Sequence, residues 1–215
     1  GGWAFAILLG IPTGVFAAVK RGTFWDYIGR GVAIVGQGAP PFVIGLLLIV
    51  IFAVWLQDTP FELPAAGRPP KFSIKTYILP CIALGWPAAA GLMRLTRSAM
   101  LEVLDSEFVK LARAKGVGWN KVIYKHALKN ALITPLTSAL LLFSGWLNGA
   151  LVIEIIFGWP GIGYDALFTA VNDNDFPLLQ GTVFFFVVIF VIFALLADLL
   201  YTVIDPRVRL TGGEK

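Results

Sequence analysis

The chain has 215 residues, 58% hydrophobic and 14% charged, with a net charge of +4 and a mean hydropathy of +0.81. Soluble domains average about 45–50% apolar and about 25% charged. The composition therefore excludes a soluble enzyme, a soluble binding module and low-complexity disorder, and leaves an integral membrane protein.

One cysteine, Cys81, and one histidine, His126, exclude an internal disulfide, a thiolate metal site and a histidine zinc cluster. No G-x-x-x-x-G-K-[ST] phosphate loop occurs. No metal, cofactor or catalytic residue is expected. The chain opens Gly1-Gly2-Trp3 and enters an apolar run without a basic n-region or a cleavage site. It reads as a fragment whose start lies upstream.

Five runs carry no charge: 1–19, 31–57, 76–93, 130–153 and 176–197, of 19, 27, 18, 24 and 22 residues. A helix needs about 17–25 apolar residues to cross a bilayer. The fold class expected is therefore all-α, a polytopic bundle with five spans. Leu46–Phe52 and Phe184–Phe190 are solidly apolar, whereas a barrel strand alternates. Pro12, Pro40, Pro41, Pro80, Pro87 and Pro135 sit in or beside four of the spans, either as ordinary bends or as hinges of a moving path.

Orientation follows from lysine and arginine. Segments 20–30 and 94–129 and the tail after 205 carry fourteen of them, and loop 58–75 on the other side carries three. The positive-inside rule puts the fourteen, and the C-terminus, in the cytoplasm. The basic balance thus points to a membrane surface and not to nucleic acid. With five spans the first residues lie outside, and one further helix upstream restores an even count.

Segment 94–129 is the most informative. The spacing predicts a helix over 98–115, with Leu101, Leu104, Phe108 and Leu111 on one face and Ser106 as a cap within the run. Gly116 stops it and Gly118 adds a second break. A second helix starts from Asn120, with Lys121, Lys125 and Lys129 on one stripe and Val122, Ile123, Ala127 and Ala131 away from it. Such a hairpin either lies on anionic lipid or docks a soluble partner, and periodicity does not choose.

A resemblance does choose. EFVKLARAKGVGWNKVIYKHALKNALITP, residues 107–135, resembles the cytoplasmic loop of bacterial ABC-transporter permeases, and within them the dipeptide/oligopeptide/nickel importer permeases. The recurrent run stands as Ala112-Arg113-Ala114-Lys115-Gly116, then His126-Ala127-Leu128, Asn130-Ala131 and Pro135. The general E-A-A, G, I-x-L-P importer signature, aligned on Gly116, matches only Ala112, Gly116 and Leu128. Residues 93–104, 154–163 and 199–210 resemble the same subfamily, so the likeness spans essentially the whole chain. The subfamily's first helix and the segment after it are absent.

The resemblance implies a single type I importer transmembrane domain over 1–215, with a coupling loop at 94–133. It implies that Ala112, Arg113, Ala114, Lys115, Gly116, Val117 and Gly118 couple the loop to an ATPase. Phe157, Trp159, Pro160, Gly161 and Gly163 would form an outer gate or contact a binding protein, or else only a turn with an aromatic anchor. The implied partners are a second homologous permease, two ABC ATPase subunits, an exoplasmic solute-binding protein and the lipid bilayer. The implied cargo is di- or oligopeptides, with nickel or glutathione as alternatives. An ATP-independent carrier or channel is the rival class, but it predicts charges deep within spans. His126 reads as an interfacial structural histidine. Glu154 and Asp198 read as structural pairs at span ends, and Asp205-Pro206-Arg207 as an interfacial stop.

Overall fold

In the computed structural model, residues 1–64 and 73–204 are described, with the side chains of 143–149, 197–198 and 200–204 outside that description. Arg68, Lys71 and Asp205-Pro206-Arg207, and the Asp198 side chain, therefore lie outside the described residues.

The first helix, α1 (Gly2–Val19), carries a small residue every fourth position: Gly2, Ala6, Gly10, Gly14 and Ala18, all buried. That spacing lines one ridge of a helix and lets a second backbone approach closely. The second backbone is α4 (Ile74–Leu104). A methyl group at Gly10 would sit 2.6 Å from the Ala89 carbonyl, and one at Gly14 2.6 Å from Thr96 Cβ. Side-chain size at these positions thus sets the distance between the two central helices.

Between them in sequence run α2 (Phe24–Gly38) and α3 (Pro41–Ile49), which continues as a π-helical turn, Val50–Trp55. Pro41 occupies the first turn of α3, where its missing N–H costs nothing. The chain turns by 104° between Gly38 and Pro41. The uncharged run 31–57 is therefore a bent pair and not a straight span. Pro12, Pro80 and Pro87 lie inside helices that run on through them.

The basic segment follows as α5 (Glu107–Ala114), α6 (Trp119–Lys121), a π-helical turn Val122–Ala127, and α7 (Leu128–Ala131). Then come α8 (Ile133–Phe157), a π-helical turn Ile162–Phe168, α9 (Thr169–Asn172) and α10 (Phe176–Ile204). The stretch 162–172 leaves the end of α8 at 85°. Among the described residues three helices are apolar and long enough to cross a membrane, Gly2–Val19, Ile74–Leu104 and Phe176–Leu196, and the total reaches five if each bent pair counts as one span. No strand occurs among the described residues.

Buried clusters run along α4, with Ala89, Ala90, Leu92 and Met93 at its middle and one cluster at each end. At its C-terminal, basic end, Val15 and Ala18 of α1 and Ala99 and Met100 of α4 pack on Ile123, Ala127 and Ala131. At its N-terminal end, Leu79 and Ala83 pack on Ile153 and Phe157 of α8, with Ile44 and Leu48 of α3 against them. Most of the described side chains of α10 stay exposed, Phe184, Val187 and Leu195 among them, which suits a lipid-facing or partner-facing helix.

Candidate functional site

The predicted single helix over 98–115 is two helices. α4 ends at Leu104, and Ser106, with extended backbone, opens α5. The break separates Leu101 and Leu104 from Phe108 and Leu111, so the four do not form one face. α5 instead buries Val109 completely and leaves Phe108 45% and Leu111 56% exposed. An isolated two-turn helix with exposed apolar side chains is held in place from one side only.

Its C-terminal end is closed by a paired backbone motif. Val117 N–H donates to the Ala112 carbonyl at 3.1 Å and Gly116 N–H to the Arg113 carbonyl at 2.9 Å. Gly116 takes φ +78°, the left-handed conformation this closure requires, with nothing near its α-carbon that a side chain would strike. Gly118 has φ −57° and opens α6. The two glycines therefore do different work.

Arg113, Ala114, Lys115, Gly116 and Gly118 are exposed, while Ala112 and Val117 are half-buried. The Arg113 guanidinium lies 5.0 Å above the Trp119 ring, bridging the glycine turn. Glu107 accepts a 2.7 Å hydrogen bond from Lys110 and raises the Lys110 ammonium above its usual range. Beyond the turn, Lys121, Lys125 and Lys129 are exposed and Val122, Ile123, Ala127 and Ala131 are buried, as their spacing predicts, the last three against α1 and α4. His126 is half-buried, and its carbonyl accepts from Asn130.

A second tie at this end was not legible in the sequence. Asp26 of α2 is 1% exposed and accepts from Arg97 of α4 through Nε at 2.7 Å and Nη2 at 2.9 Å. Gly22 N–H donates to the same carboxylate at 3.0 Å, and Arg30 stands 3.7 Å away. The nearby Arg30, four residues on, is the only local signal of an ion pair here.

The motif 157–163 sits at the opposite end of the bundle, because α8 runs antiparallel to α4. Trp159 packs against Tyr77 at the start of α4, ring centroids 4.4 Å apart. Phe157 is 2% exposed and fills the core against Gly45, Leu79 and Ala83. Of the five residues singled out there, Phe157 and Gly163 are thus buried, and Trp159, Pro160 and Gly161 are half-buried. Gly158 takes φ +54° and closes α8, with Trp159 N–H donating to the Glu154 carbonyl at 2.8 Å. Glu154, read from the sequence as a structural pair at a span end, accepts from the Gly163 N–H at 2.8 Å and the Tyr164 N–H at 3.3 Å, at the start of the 162–172 stretch.

Comparison with known proteins gives this geometry its context. The family described as binding-protein-dependent transport system inner membrane component matches residues 10–210. The chain belongs to this family. It is a membrane-embedded transport permease subunit. The dipeptide transport system permease protein DppB of Alkalihalophilus pseudofirmus is 42% identical over 95% of this chain and 68% of its own length. The glutathione transport system permease protein GsiC of Salmonella choleraesuis is 38% identical over 95% of this chain and 64% of its own. DppB of Escherichia coli K12 is 37% identical over 95% and 67%. The chain thus spans about two thirds of the length of these relatives. A crystal structure of an amino acid ABC transporter shares the fold, with a TM-score of 0.66 at 16% identity, over 93% of this chain and 87% of that one.

Proposed function

We propose that this permease forms half of the translocation path of an ATP-driven importer for short peptides, paired with a second homologous permease. Two ATPase subunits bind the α5 end, which faces the cytoplasm together with the C-terminus. A solute-binding protein meets the 157–172 end outside. The relatives named for dipeptides and glutathione, itself a small peptide, support the cargo class.

The observation that carries the reading is α5. It exposes Phe108 and Leu111 beside Arg113 and Lys115 and buries Val109, while the 122–131 segment that follows it packs on the ends of α1 and α4. A helix laid in a partner's groove offers such a face, and its base transmits displacement into the bundle. The whole of 94–133 is then the coupling loop, within one transmembrane domain. The outer residues Trp159, Pro160 and Gly161 form the contact or gate on the far side.

Affinity purification of the full-length permease from gently solubilised membranes tests this. A P-loop ATPase is expected with the native chain and lost with Gly116→Trp. Its absence with the native chain, while the second permease is retained, would favour an ATP-independent carrier.

A further inference from the structure

Gly161 has φ −126° and ψ 173°, extended backbone that any residue adopts. Its missing side chain is therefore not a requirement of the turn. A methyl group there would overlap the carboxyl group of Glu154, whose Cδ and two oxygens are its three nearest atoms. A methyl group at Gly163 would sit 2.7 Å from Glu154 Oε2 and 3.0 Å from Leu151 Cα. The same Oε2 accepts the two N–H groups at the start of the 162–172 stretch. First-turn N–H groups lack partners within their own helix, and an ionised acceptor there makes a charge-assisted bond.

We propose that Glu154 is a positioning residue whose carboxylate sets the angle at which 162–172 leaves α8, and that Gly161 and Gly163 are glycines so that this carboxylate fits. Two separate observations carry it: the hydrogen bonds Glu154 accepts, and the clearance left for it on the far side of the turn. The functional part rests on the reading above, in which this hairpin meets the solute-binding protein. A hairpin held at a fixed angle presents that protein with a preformed surface, so loss of the latch weakens encounter.

Gly161→Ala pushes out the same carboxylate that Glu154→Ala removes. The two changes therefore share one mechanism and do not add. The test uses the full-length permease in its assembled importer, reconstituted in nanodiscs. The half-saturating concentration of loaded binding protein, read from ATPase stimulation, is expected to rise about tenfold in Glu154→Ala and in Gly161→Ala. The double variant is expected to match either single one. Glu154→Gln keeps one accepting oxygen and is expected to fall between. Hydrogen exchange of the Gly163 and Tyr164 amides, on the same samples, is expected to accelerate in both single variants.

Unchanged exchange in Glu154→Ala and Gly161→Ala overturns the latch, whatever transport does. Accelerated exchange with unmoved half-saturation, or additive losses in the double variant, overturns its role in encounter. A native complex that loaded binding protein fails to stimulate contradicts the importer reading instead, and the exchange data still decide the latch. Should Glu154→Ala fail to assemble, Glu154→Gln and Gly161→Ala carry the same comparison.

Discussion

Arg97 of α4 grips the carboxylate of Asp26 on α2 with both Nε and Nη2, at 2.7 and 2.9 Å. The two residues lie 71 positions apart. The guanidinium fork matches a carboxylate in this way, and lysine does not. The pair joins α2 to the end of α4 that also carries Ala99 and Met100, the floor under the 122–131 segment. It therefore ties the bent α2–α3 pair to the basic end of α4.

Removing Arg97 leaves the buried Asp26 carboxylate only the Gly22 N–H and the more distant Arg30, and removing Asp26 strands the Arg97 guanidinium, each at a cost of up to about 3–5 kcal/mol. Asp26→Ala and Arg97→Ala are each expected to reduce the yield of monodisperse permease and lower its thermal unfolding midpoint in detergent. The double variant is expected to recover part of the loss, since neither charge is then stranded. Arg97→Lys is expected to lose stability as well. Equal midpoints for all four variants and the native chain would show that the pair does not hold α2 to α4.

The α1–α4 contact predicts a contrast among glycines. Gly14→Val is expected to force α1 from α4, since even a methyl group there meets Thr96 Cβ at 2.6 Å. Overpacking of this kind costs about 1–3 kcal/mol. Gly181 of α10 has nothing within 4 Å of where a Cβ would stand. Gly181→Ala is expected to raise stability by up to about 1 kcal/mol through helix propensity. Thermal unfolding of the two variants side by side checks the ordering.

The glycine turn of the basic segment separates in the same way. Gly116 needs its left-handed backbone, so Gly116→Ala is expected to cost about 1 kcal/mol or more and to loosen α5. Gly116→Asn is expected to be milder, because asparagine visits that conformation more readily. Gly118→Ala is expected to be nearly silent at φ −57°. Protease sensitivity of the 105–120 segment in intact proteoliposomes reads all three.

Trp119 offers a fourth. Its ring carries the Arg113 guanidinium across the turn. Trp119→Ala is expected to free Arg113, with a loss of about 0.5–1 kcal/mol in the exposed setting. The effect is expected in ATPase affinity, measured by titrating purified ATPase onto the reconstituted permease, more than in permease folding. Unchanged affinity would separate Arg113 from docking.

Much of the bundle was readable from charge alone. The runs 1–19, 76–93 and 176–197 fall on the three long apolar helices, because charged residues are expelled to span ends. Pro40 and Pro41 announced a break, but the 104° angle depends on what α2 and α3 pack against, which no local pattern encodes. Ser106 was readable as a cap, yet the stripe through Leu101, Leu104, Phe108 and Leu111 assumed a helix running past it. Once the chain breaks at Asp105, the phase of the 3.6-residue period is lost and Val109 becomes the buried residue. The lysine stripe 121, 125 and 129 was legible because its burial partners share one segment.

The polar ties were not legible. Asp26 and Arg97 meet only through tertiary packing, and Glu154 looked like any carboxylate at a span end. The glycines at 161 and 163 were visible as a turn. What they make room for is a side chain on the preceding helix, which becomes apparent only when the turn is seen in three dimensions.

The proposed coupling role makes α5 the element that an ATPase grips. Site-directed crosslinking in membranes tests it most directly, with Cys81 replaced by Ser and a single cysteine introduced at a time. Leu111→Cys, on the exposed face of α5, is predicted to form an adduct with a P-loop ATPase, and to do so at a rate that changes on adding ATP. Lys125→Cys, on the lysine stripe beyond the turn, is predicted to form that adduct far more slowly. Crosslinking of Leu111→Cys to lipid alone, with no ATPase adduct in membranes that contain the assembled transporter, would overturn the docking role of α5.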